Sequence, residues 1–311
     1  IVINGDLGSG KTTIARLIAE RTGLRSISIG DLYREIAQRR GMSALELNLH
    51  AERDEEIDRY IDDLQRQMAE SSEQLVVDSR LAWLFFREAL KVHLITDPVV
   101  AAGRVFARPA DQVESYSSID EATGSLRSRS ESERQRFITK YGVDKERLRN
   151  YDLICDTTRA DPAGIADWVL HAYQSGDQRS ASVDPAILLD PARIYPTQPI
   201  TGLRGLWDSD ESFVNDLGKA GFQQVEPITL GYTGSSFYVV DGHRRLSAAL
   251  RNDFRLIPAR LAAEREETMI AGLTAGQYFV SAVTLSMIYD WGDAHGIGLR
   301  VPAHLETQLT R

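Results

Sequence analysis

A glycine-rich segment near the start of the chain has the residue types and the spacing of a phosphate-binding loop. The segment GDLGSGKTT, residues 5–13, fits the pattern G-x-x-x-x-G-K-[ST] and lies between the apolar IVIN and the helix-like TTIARLIAERTG. Glycines let backbone N–H groups converge on phosphate oxygens, Lys11 would offset the charge of the β- and γ-phosphates, and Thr12 would offer a hydroxyl to Mg²⁺. The pattern therefore predicts a site for ATP and Mg²⁺. The expected ATP-binding residues are Gly5, Gly8, Ser9, Gly10, Lys11, Thr12 and Thr13.

Charged residues follow the next two strand-like segments. Asp31 and Arg34 lie about one helical turn apart in SIGDLYREIAQRRGMS, and Asp78 and Arg80 follow the apolar residues of VVDSRLAW. In a parallel sheet the carboxyl ends of the strands share one edge with the glycine-rich loop. We therefore expect Asp31, Arg34 and Arg80 to bind a phosphoryl acceptor opposite the ATP phosphates, and Asp78 is expected to act in catalysis at the same edge. Ordinary surface ion pairs are the alternative.

A third group of basic side chains lies in a long helix-like stretch, SLRSRSESERQRFITKYGVD. Arg129 and Arg136 are seven residues apart, which places them on one helical face, and Arg104 and Arg108 upstream are four apart. Guanidinium groups that close over a substrate stabilise the charge that develops during phosphoryl transfer and exclude water. Arg129 and Arg136 are therefore predicted to be catalytic residues on a mobile helical flap. Lys11 of the glycine-rich loop is predicted to be catalytic as well. The alternative is a solvated helix surface whose charges form i,i+4 pairs.

Apolar strands and amphipathic helices alternate through the first half of the chain, where the strand-like segments are IVIN, LVVDS, VHLITD and YDLICDT. This alternation predicts an α/β domain with a parallel sheet and crossover helices. The small polar segment QSGDQRSASVDP, residues 174–185, marks a boundary, and the short strands EPITLGY and SSFYVVDG after it indicate a smaller α+β domain. The chain from about Ala262 to Trp291 is expected to be helical and to pack on another surface. The expected organisation is a domain at 1–176, a linker at 177–184, a domain at 185–262 and a C-terminal helical segment at 263–311.

Composition limits the class of protein. The chain has 311 residues, 42% of them hydrophobic, and a formal net charge of −9, which argues against a generally basic protein that coats nucleic acid. No apolar run reaches the roughly 18 residues needed to span a bilayer, so no membrane partner is expected. The single cysteine, Cys155, excludes an intrachain disulfide and a Cys-cluster zinc site, and it favours a reducing cytoplasm. The six histidines show no metal-ligand spacing, and the sequence does not specify an oligomeric state.

The stretch from Ile1 to about Tyr173 resembles the short cytidylate kinases of the archaeal type, within the nucleoside monophosphate kinase superfamily. The matching segments, in chain order, are GDLGSGKTT, SIGDLYREIAQRRGMS, AERDEEIDRYIDDLQ, VVDSRLAW, RSRSESERQRFITKYGVD and YDLICDT. The resemblance implies that ATP and Mg²⁺ bind at the glycine-rich loop and that Arg34 and Arg80 hold an acceptor nucleotide. It also implies a lid whose Arg129 and Arg136 contact the transferring phosphoryl group.

Two positions depart from the pattern of that family. The family usually has Glu-Gly before the arginine that matches Arg80, where this chain has Asp78 and Ser79. It usually has Glu after the arginine that matches Arg129, where this chain has Ser130. Both changes fall near the expected acceptor site or the lid, so the acceptor is open between free CMP and another group.

A second strand–turn–helix segment, VVDGHRRLSAAL, occupies residues 239–250. Together with ILLDPARIYPTQPI and EPITLG upstream, it resembles the ParB/sulfiredoxin-like domain over about Asp184 to Leu261, although the sulfiredoxin cysteine is absent. In that family a D-G-H-[HR]-R segment grips nucleotide phosphates in free-serine kinases and CTP-hydrolysing partition proteins. The resemblance implies an anion cradle at a helix N-terminus, where the helix dipole favours negative charge; a platform that keeps the fold without a nucleotide is the alternative. The residues of this implied cradle are Asp241, Gly242, His243, Arg244 and Arg245.

Three functions compete on the sequence. The leading one is an ATP-dependent P-loop kinase that phosphorylates a pyrimidine nucleotide. In the second, the same kinase phosphorylates a modified base hydroxyl in DNA, such as 5-hydroxymethyluracil, and the ParB-like domain binds the DNA. The acidic net charge counts against this function. In the third, the chain is a nucleotide-sensing switch that binds its ligands without turnover.

Overall fold

Two units make up the chain, Ile1–Val183 and Asp184–Arg311, and we call them the first and the second unit. The computed structural model describes residues 1–51, 56–71, 73–108, 116–175, 184–200, 211–268 and 272–306. Of the linker expected at 177–184, only Asp184 lies within these ranges.

Strands of the first unit form a parallel sheet, as the alternation of strand-like and helical segments predicts. They are β1 (Val2–Gly5), β2 (Arg25–Ser28), β3 (Leu75–Asp78), β4 (Lys91–Ile95) and β5 (Leu153–Asp156). Within this unit they pair in the order β2-β3-β1-β4-β5. Every residue of β3 and β5 is buried. Strands that are buried along their whole length are typical of a parallel sheet that is covered on both faces.

Helices of the first unit alternate with these strands. They are α1 (Lys11–Thr22), α2 (Ile29–Arg39), α3 (Ala44–Ala51), α4 (Glu56–Glu70), α5 (Ala82–Phe85), α6 (Pro98–Phe106), α7 (Ile119–Tyr141) and α8 (Pro162–Ser175). Short polar side chains satisfy the first N–H groups of three of them: Ser28 caps α2, Asp97 caps α6 and Ser118 caps α7. Helix α7 ends at Gly142, which has a φ of 68°.

The turn between β1 and α1 depends on its glycines. Gly5 has a φ of +149°, and a Cβ atom at this position would lie 2.2 Å from the carbonyl oxygen of Leu94. Gly10 has a φ of +85° and immediately precedes Lys11, the first residue of α1. Residues other than glycine rarely adopt these conformations. The loop therefore places Lys11 at the carboxyl edge of the sheet, where β3 ends at Asp78.

The second unit contains a mixed sheet. Its strands are β6 (Ala186–Leu189), β7 (Ile194–Tyr195), β8 (Ile228–Tyr232), β9 (Phe237–Asp241) and β10 (Ile257–Glu264). Strand β10 pairs antiparallel with β6 and parallel with β8, while β9 pairs antiparallel with β8 and parallel with β7. The helices are α9 (Glu211–Ala220), α10 (His243–Arg251), α11 (Ala275–Ala282), α12 (Leu285–His295) and α13 (Ala303–Glu306). Among the helices of the described ranges, none is both long and apolar enough to cross a membrane.

The prediction of a continuous helix from about Ala262 to Trp291 is wrong. Strand β10 continues through Glu264, so the boundary expected between residues 262 and 263 falls inside a strand. The helical part then divides into α11 and α12, because Thr274 and Thr284 each cap a helix with their hydroxyl groups. The packing role expected for this segment is confirmed, since Phe279 and Ile288 join Tyr195 and Tyr238 of the sheet in one buried cluster.

We predict that Phe279→Ala destabilises the second unit by about 3–5 kcal/mol, because the truncation leaves a cavity between α11 and the sheet. Urea unfolding measures the loss. Val280→Ala is the matched control, since the neighbouring Val280 is 54% exposed, and it should stay within about 0.5 kcal/mol of the wild type. Equal unfolding midpoints for Phe279→Ala and the wild type would contradict the packing described here.

Candidate active site

A pocket in the first unit collects most of the residues that the sequence singles out. It encloses about 1050 Å³, a volume that includes the open mouth of the pocket. Three expected residues of the first unit, Gly5, Ser9 and Asp31, do not line it. The expected residues that line it are Gly8, Gly10, Lys11, Thr12, Thr13, Arg34, Asp78, Arg80, Arg129 and Arg136.

Lys11 lies at the floor of the glycine-rich loop. Its Nζ donates to the carbonyl oxygens of Gly5 at 2.9 Å and of Asp6 at 2.6 Å. Burial lowers the pKa of Lys11 to about 8, although the nearby carboxylate of Asp78 acts in the opposite direction. A phosphate group would add further negative charge beside this partly buried ammonium. Ser9 supports the loop instead of facing the pocket, because its hydroxyl donates to the carbonyl of Asp6 at 2.8 Å.

Thr12 and Asp78 form an oxygen pair at the edge of the sheet. The Thr12 hydroxyl donates to Asp78 Oδ2 at 2.6 Å, and the Ser28 hydroxyl is 3.4 Å from the same oxygen. Hydroxyl and carboxylate oxygens suit Mg²⁺, which keeps several water ligands and usually also binds substrate phosphates. In the described ranges no group of three or more His, Cys, Asp or Glu residues could hold a metal by itself. The pair therefore fits a Mg²⁺ ion that arrives with ATP, and it includes the metal ligand expected at Thr12.

The two arginines that the sequence predicts to bind an acceptor both line the pocket. Arg80 follows β3, and Arg34 lies on α2, where it forms an ion pair with Asp31. The side chain of Asp31 is 58% exposed, so Asp31 holds Arg34 from outside the cavity. The expectation that Asp31 itself binds the acceptor therefore has no support in the lining of the pocket.

Helix α7 turns Arg129 and Arg136 inward. Arg129 is 3% exposed, and Arg136 lies with its Nε 3.5 Å from Asp58 Oδ2. The opposite face, which includes Arg127 and Glu131, is exposed. The helix is thus amphipathic, with one exposed face and one face toward the cavity. The i,i+4 ion pair between Arg129 and Glu133 is buried, so it is not one of the solvated pairs of the alternative interpretation. Of the upstream pair only Arg108 lines the pocket, because Arg104 donates through Nη2 to the carbonyl of Thr157 at 2.5 Å.

Sequence reasoning missed Glu133, which is fully buried on the inner face of α7. It forms ion pairs with Arg80, with Arg129 at 3.4 Å and with Lys145 at 3.2 Å. Burial by itself would raise the pKa of Glu133, but these cations outweigh it and lower the pKa to about 2. The spacing offered a signal, because Glu133 follows Arg129 by four residues and precedes Arg136 by three on one helical face.

Two buried carboxylates on α4 were also missed. Asp58 lies 3.5 Å from Arg136 Nε and 3.5 Å from Lys140 Nζ, and Asp62 accepts a hydrogen bond from the Tyr141 hydroxyl at 2.8 Å. Burial raises the pKa of Asp62, and the Tyr141 hydrogen bond only partly opposes this shift. Both carboxylates line the end of the pocket near Tyr141. Their i,i+4 spacing in IDRYID was the available signal.

The predicted strand–turn–helix of the second unit is present, from β9 through Gly242 to α10. Gly242 has a φ of +108°, and a Cβ atom there would meet Ile228 at 2.7 Å. His243 Nε2 accepts from the backbone N–H of Thr197 at 3.1 Å, and burial lowers the pKa of His243 to about 4.

The two arginines of this segment contact other parts of the second unit. Arg245 donates to the carbonyl oxygens of Glu226 at 3.0 Å and Pro227 at 2.8 Å, and to Asp241 Oδ2 at 2.9 Å. The guanidinium of Arg244 lies over the ring of Phe213, 5.2 Å from its centroid. An anion at this helix N-terminus would therefore compete with contacts that Arg245 already makes, and the cradle stays a prediction.

Comparison with known proteins gives one consistent relationship. The cytidylate kinase of Archaeoglobus fulgidus is 37% identical over 175 residues, which cover 56% of this chain and 94% of that protein. The cytidylate kinase of Methanothrix thermoacetophila is 39% identical over 175 residues and is covered to 98%. The family model described as an AAA domain matches residues 1–133. Through the N-terminal 56% or so of its length, the chain thus belongs to the cytidylate kinase family of P-loop kinases and is an ATP-dependent phosphotransferase.

Proposed function

We propose that the protein transfers the γ-phosphoryl group of ATP to a pyrimidine nucleotide. The observation that carries this proposal is the number of cations at one pocket, where Arg34, Arg80 and two arginines of α7 face the cavity beyond Lys11. A γ-phosphoryl group and its Mg²⁺ need fewer cations than this. An acceptor that carries its own phosphate group would account for the additional cations. The relatives of this chain are named cytidylate kinases, and cytidylate is an acceptor of this kind.

The proposed division of work follows the positions of the side chains. The glycine-rich loop and Lys11 bind the ATP phosphates, and Arg34 and Arg80 bind the phosphate of the acceptor. Thr12 and Asp78 would hold Mg²⁺, which when bound offsets the charge on the β- and γ-phosphates. The guanidinium groups of α7 stabilise the charge that develops on the equatorial oxygens and exclude water from the transfer.

Phosphorylation of a base hydroxyl in DNA is the second candidate, and the departures at Ser79 and Ser130 favour it. The Ser79 hydroxyl donates to Gln65 Oε1 at 2.9 Å, and Lys145 Nζ donates to the Ser130 hydroxyl at 3.2 Å, so both serines take part in contacts around the pocket. Against this candidate, Asp and Glu outnumber Lys and Arg in residues 184–311, which would have to approach the DNA.

A transfer screen with radiolabelled ATP separates the candidates. The acceptors are CMP, UMP, AMP, GMP, serine, and duplex DNA with and without 5-hydroxymethyluracil, and Lys11→Ala is the control that should lose transfer to every one of them. Label on CMP or UMP that is insensitive to salt supports the proposal. Label on modified DNA that falls steeply with salt supports the second candidate, and Arg244→Ala with Arg245→Ala should then lower that transfer. Absence of transfer to any acceptor would leave only the nucleotide-sensing switch.

We predict that ATP affinity falls as the pH rises above about 8. The pKa of Lys11 is about 8 in the free protein, and the ATP phosphates raise it, so binding takes up a proton once the free side chain is neutral. The decrease should approach about tenfold per pH unit until the pKa of the bound form is reached. Calorimetry between about pH 7 and 9.5 measures it. Lys11→Arg should bind with little pH dependence because its guanidinium stays protonated. Constant affinity for the wild type would contradict the lowered pKa of Lys11.

We predict that Arg129→Ala and Arg136→Ala each lower kcat by about 100-fold or more and change the Kd for ATP by less than about threefold. The reason is that both guanidinium groups act on charge that appears near the transition state. Arg127→Ala is the matched control, since it removes an exposed arginine from the same helix and should keep the turnover of the wild type. Loss of ATP binding with unchanged turnover would place these arginines outside the transfer step.

A further inference from the structure

Glu133 joins charged groups from three segments of the first unit. Arg80 follows β3, Arg129 lies one turn earlier on α7, and Lys145 follows the C-terminus of α7. The two arginines pair with the same carboxylate oxygen, Oε1, and Lys145 donates to the other, Oε2, at 3.2 Å. Lys145 also donates to the Ser130 hydroxyl at 3.2 Å. Lys145 thus fixes the carboxylate through Oε2, and Oε1 contacts both arginines.

Arg80 and Arg129 carry like charges and are both largely removed from solvent, so their shared contact with Glu133 affects how close they can lie. Burial lowers the pKa of Arg80, and the positive charge of Arg129 adds to that effect, which means that each guanidinium disfavours the other. Attraction to Glu133 opposes both effects. A buried charge that loses its partner is strongly unfavourable, so the two guanidinium groups would separate or turn toward water without this carboxylate.

We infer that Glu133 is a positioning residue for phosphoryl transfer, which holds Arg80 and Arg129 side by side at the pocket before the nucleotides bind. Glu133 itself does not line the cavity, so it acts through the arginines and not on the substrate. One carboxylate faces three cations, and the group keeps a net positive charge toward the phosphates. Donors that are already in place lower the reorganisation needed in the transition state. The inference rests on the roles proposed above for Arg80 and Arg129.

The test is Glu133→Gln, which keeps the shape of the side chain and removes its charge. Its kcat should fall by about tenfold or more, while the Kd for ATP should stay within about threefold, because Lys11 and the loop amides bind ATP independently. The matched control is Asp144→Asn. This change weakens the ion pair, 2.8 Å long, between Asp144 and Arg134, which lies next to Glu133 on α7. This variant should lose stability in a thermal melt and keep its kcat within about twofold.

A double-mutant cycle separates positioning from general damage. If Glu133 acts by holding Arg129, then Glu133→Gln in the background of Arg129→Ala should cost much less than it does in the wild type. Independent multiplication of the two losses would overturn the inference, and so would a kcat for Glu133→Gln within about threefold of the wild type. A wild type that transfers to no acceptor refutes the proposed function instead, before any variant of Glu133 is compared.

Glu133→Asp provides the same test if Glu133→Gln does not fold. The shorter side chain keeps the negative charge, so the cations around it are still partly neutralised and the protein should lose less stability. It also moves the carboxylate away from Arg80, which follows β3. The inference requires a kcat lowered by about fivefold or more with ATP binding retained. A folded Glu133→Asp with the kcat of the wild type would overturn it.

Discussion

Repulsion among cationic side chains around one pocket is the constraint on which the charge arrangement of the first unit depends. Five of these cations lie beside oxygen atoms of the protein. The ammonium of Lys11 contacts two backbone carbonyls, Arg34 pairs with Asp31, and Arg136 lies near Asp58. Arg80 and Arg129 share Glu133. Phosphate oxygens are acceptors of the same kind, so a nucleotide can meet a set of donors that the protein has already gathered.

The backbone makes this density of charge possible. The parallel sheet brings the ends of β1 and β3 to one edge, and Gly5 lets the chain turn beside Leu94 where any side chain would collide. The turn sets Thr12 against Asp78, so the expected oxygen ligands of Mg²⁺ come from the first turn of α1 and the end of β3. The helix that carries Arg129 and Arg136 then supplies the opposite wall. The glycine-rich loop, the Thr12–Asp78 pair and the two arginines of α7 thereby come from different elements of one unit.

The two strand–glycine–helix segments of the chain differ in what surrounds them. In the first unit, the glycine-rich loop opens on a large cavity lined by arginines. In the second unit, the turn at Gly242 is short, His243 is bonded to the backbone of Thr197, and Arg245 is bonded to two carbonyls and Asp241. The same local backbone thus borders an open pocket in the first unit and makes internal contacts in the second.

Sequence by itself determined the phosphate-binding loop, the parallel sheet and the position of Arg34, Arg80 and Asp78 at its edge, because strand alternation and glycine spacing are local properties of the chain. It also contained the caps at Thr274 and Thr284, which divide the expected C-terminal helix. Only the tertiary structure decided that Glu133 and Asp58 are buried partners of the arginines, that Arg104 supports a strand end, and that Asp31 stays outside. Burial and pairing depend on which face of each helix meets its neighbours, and the spacing of charges along one helix does not specify that contact.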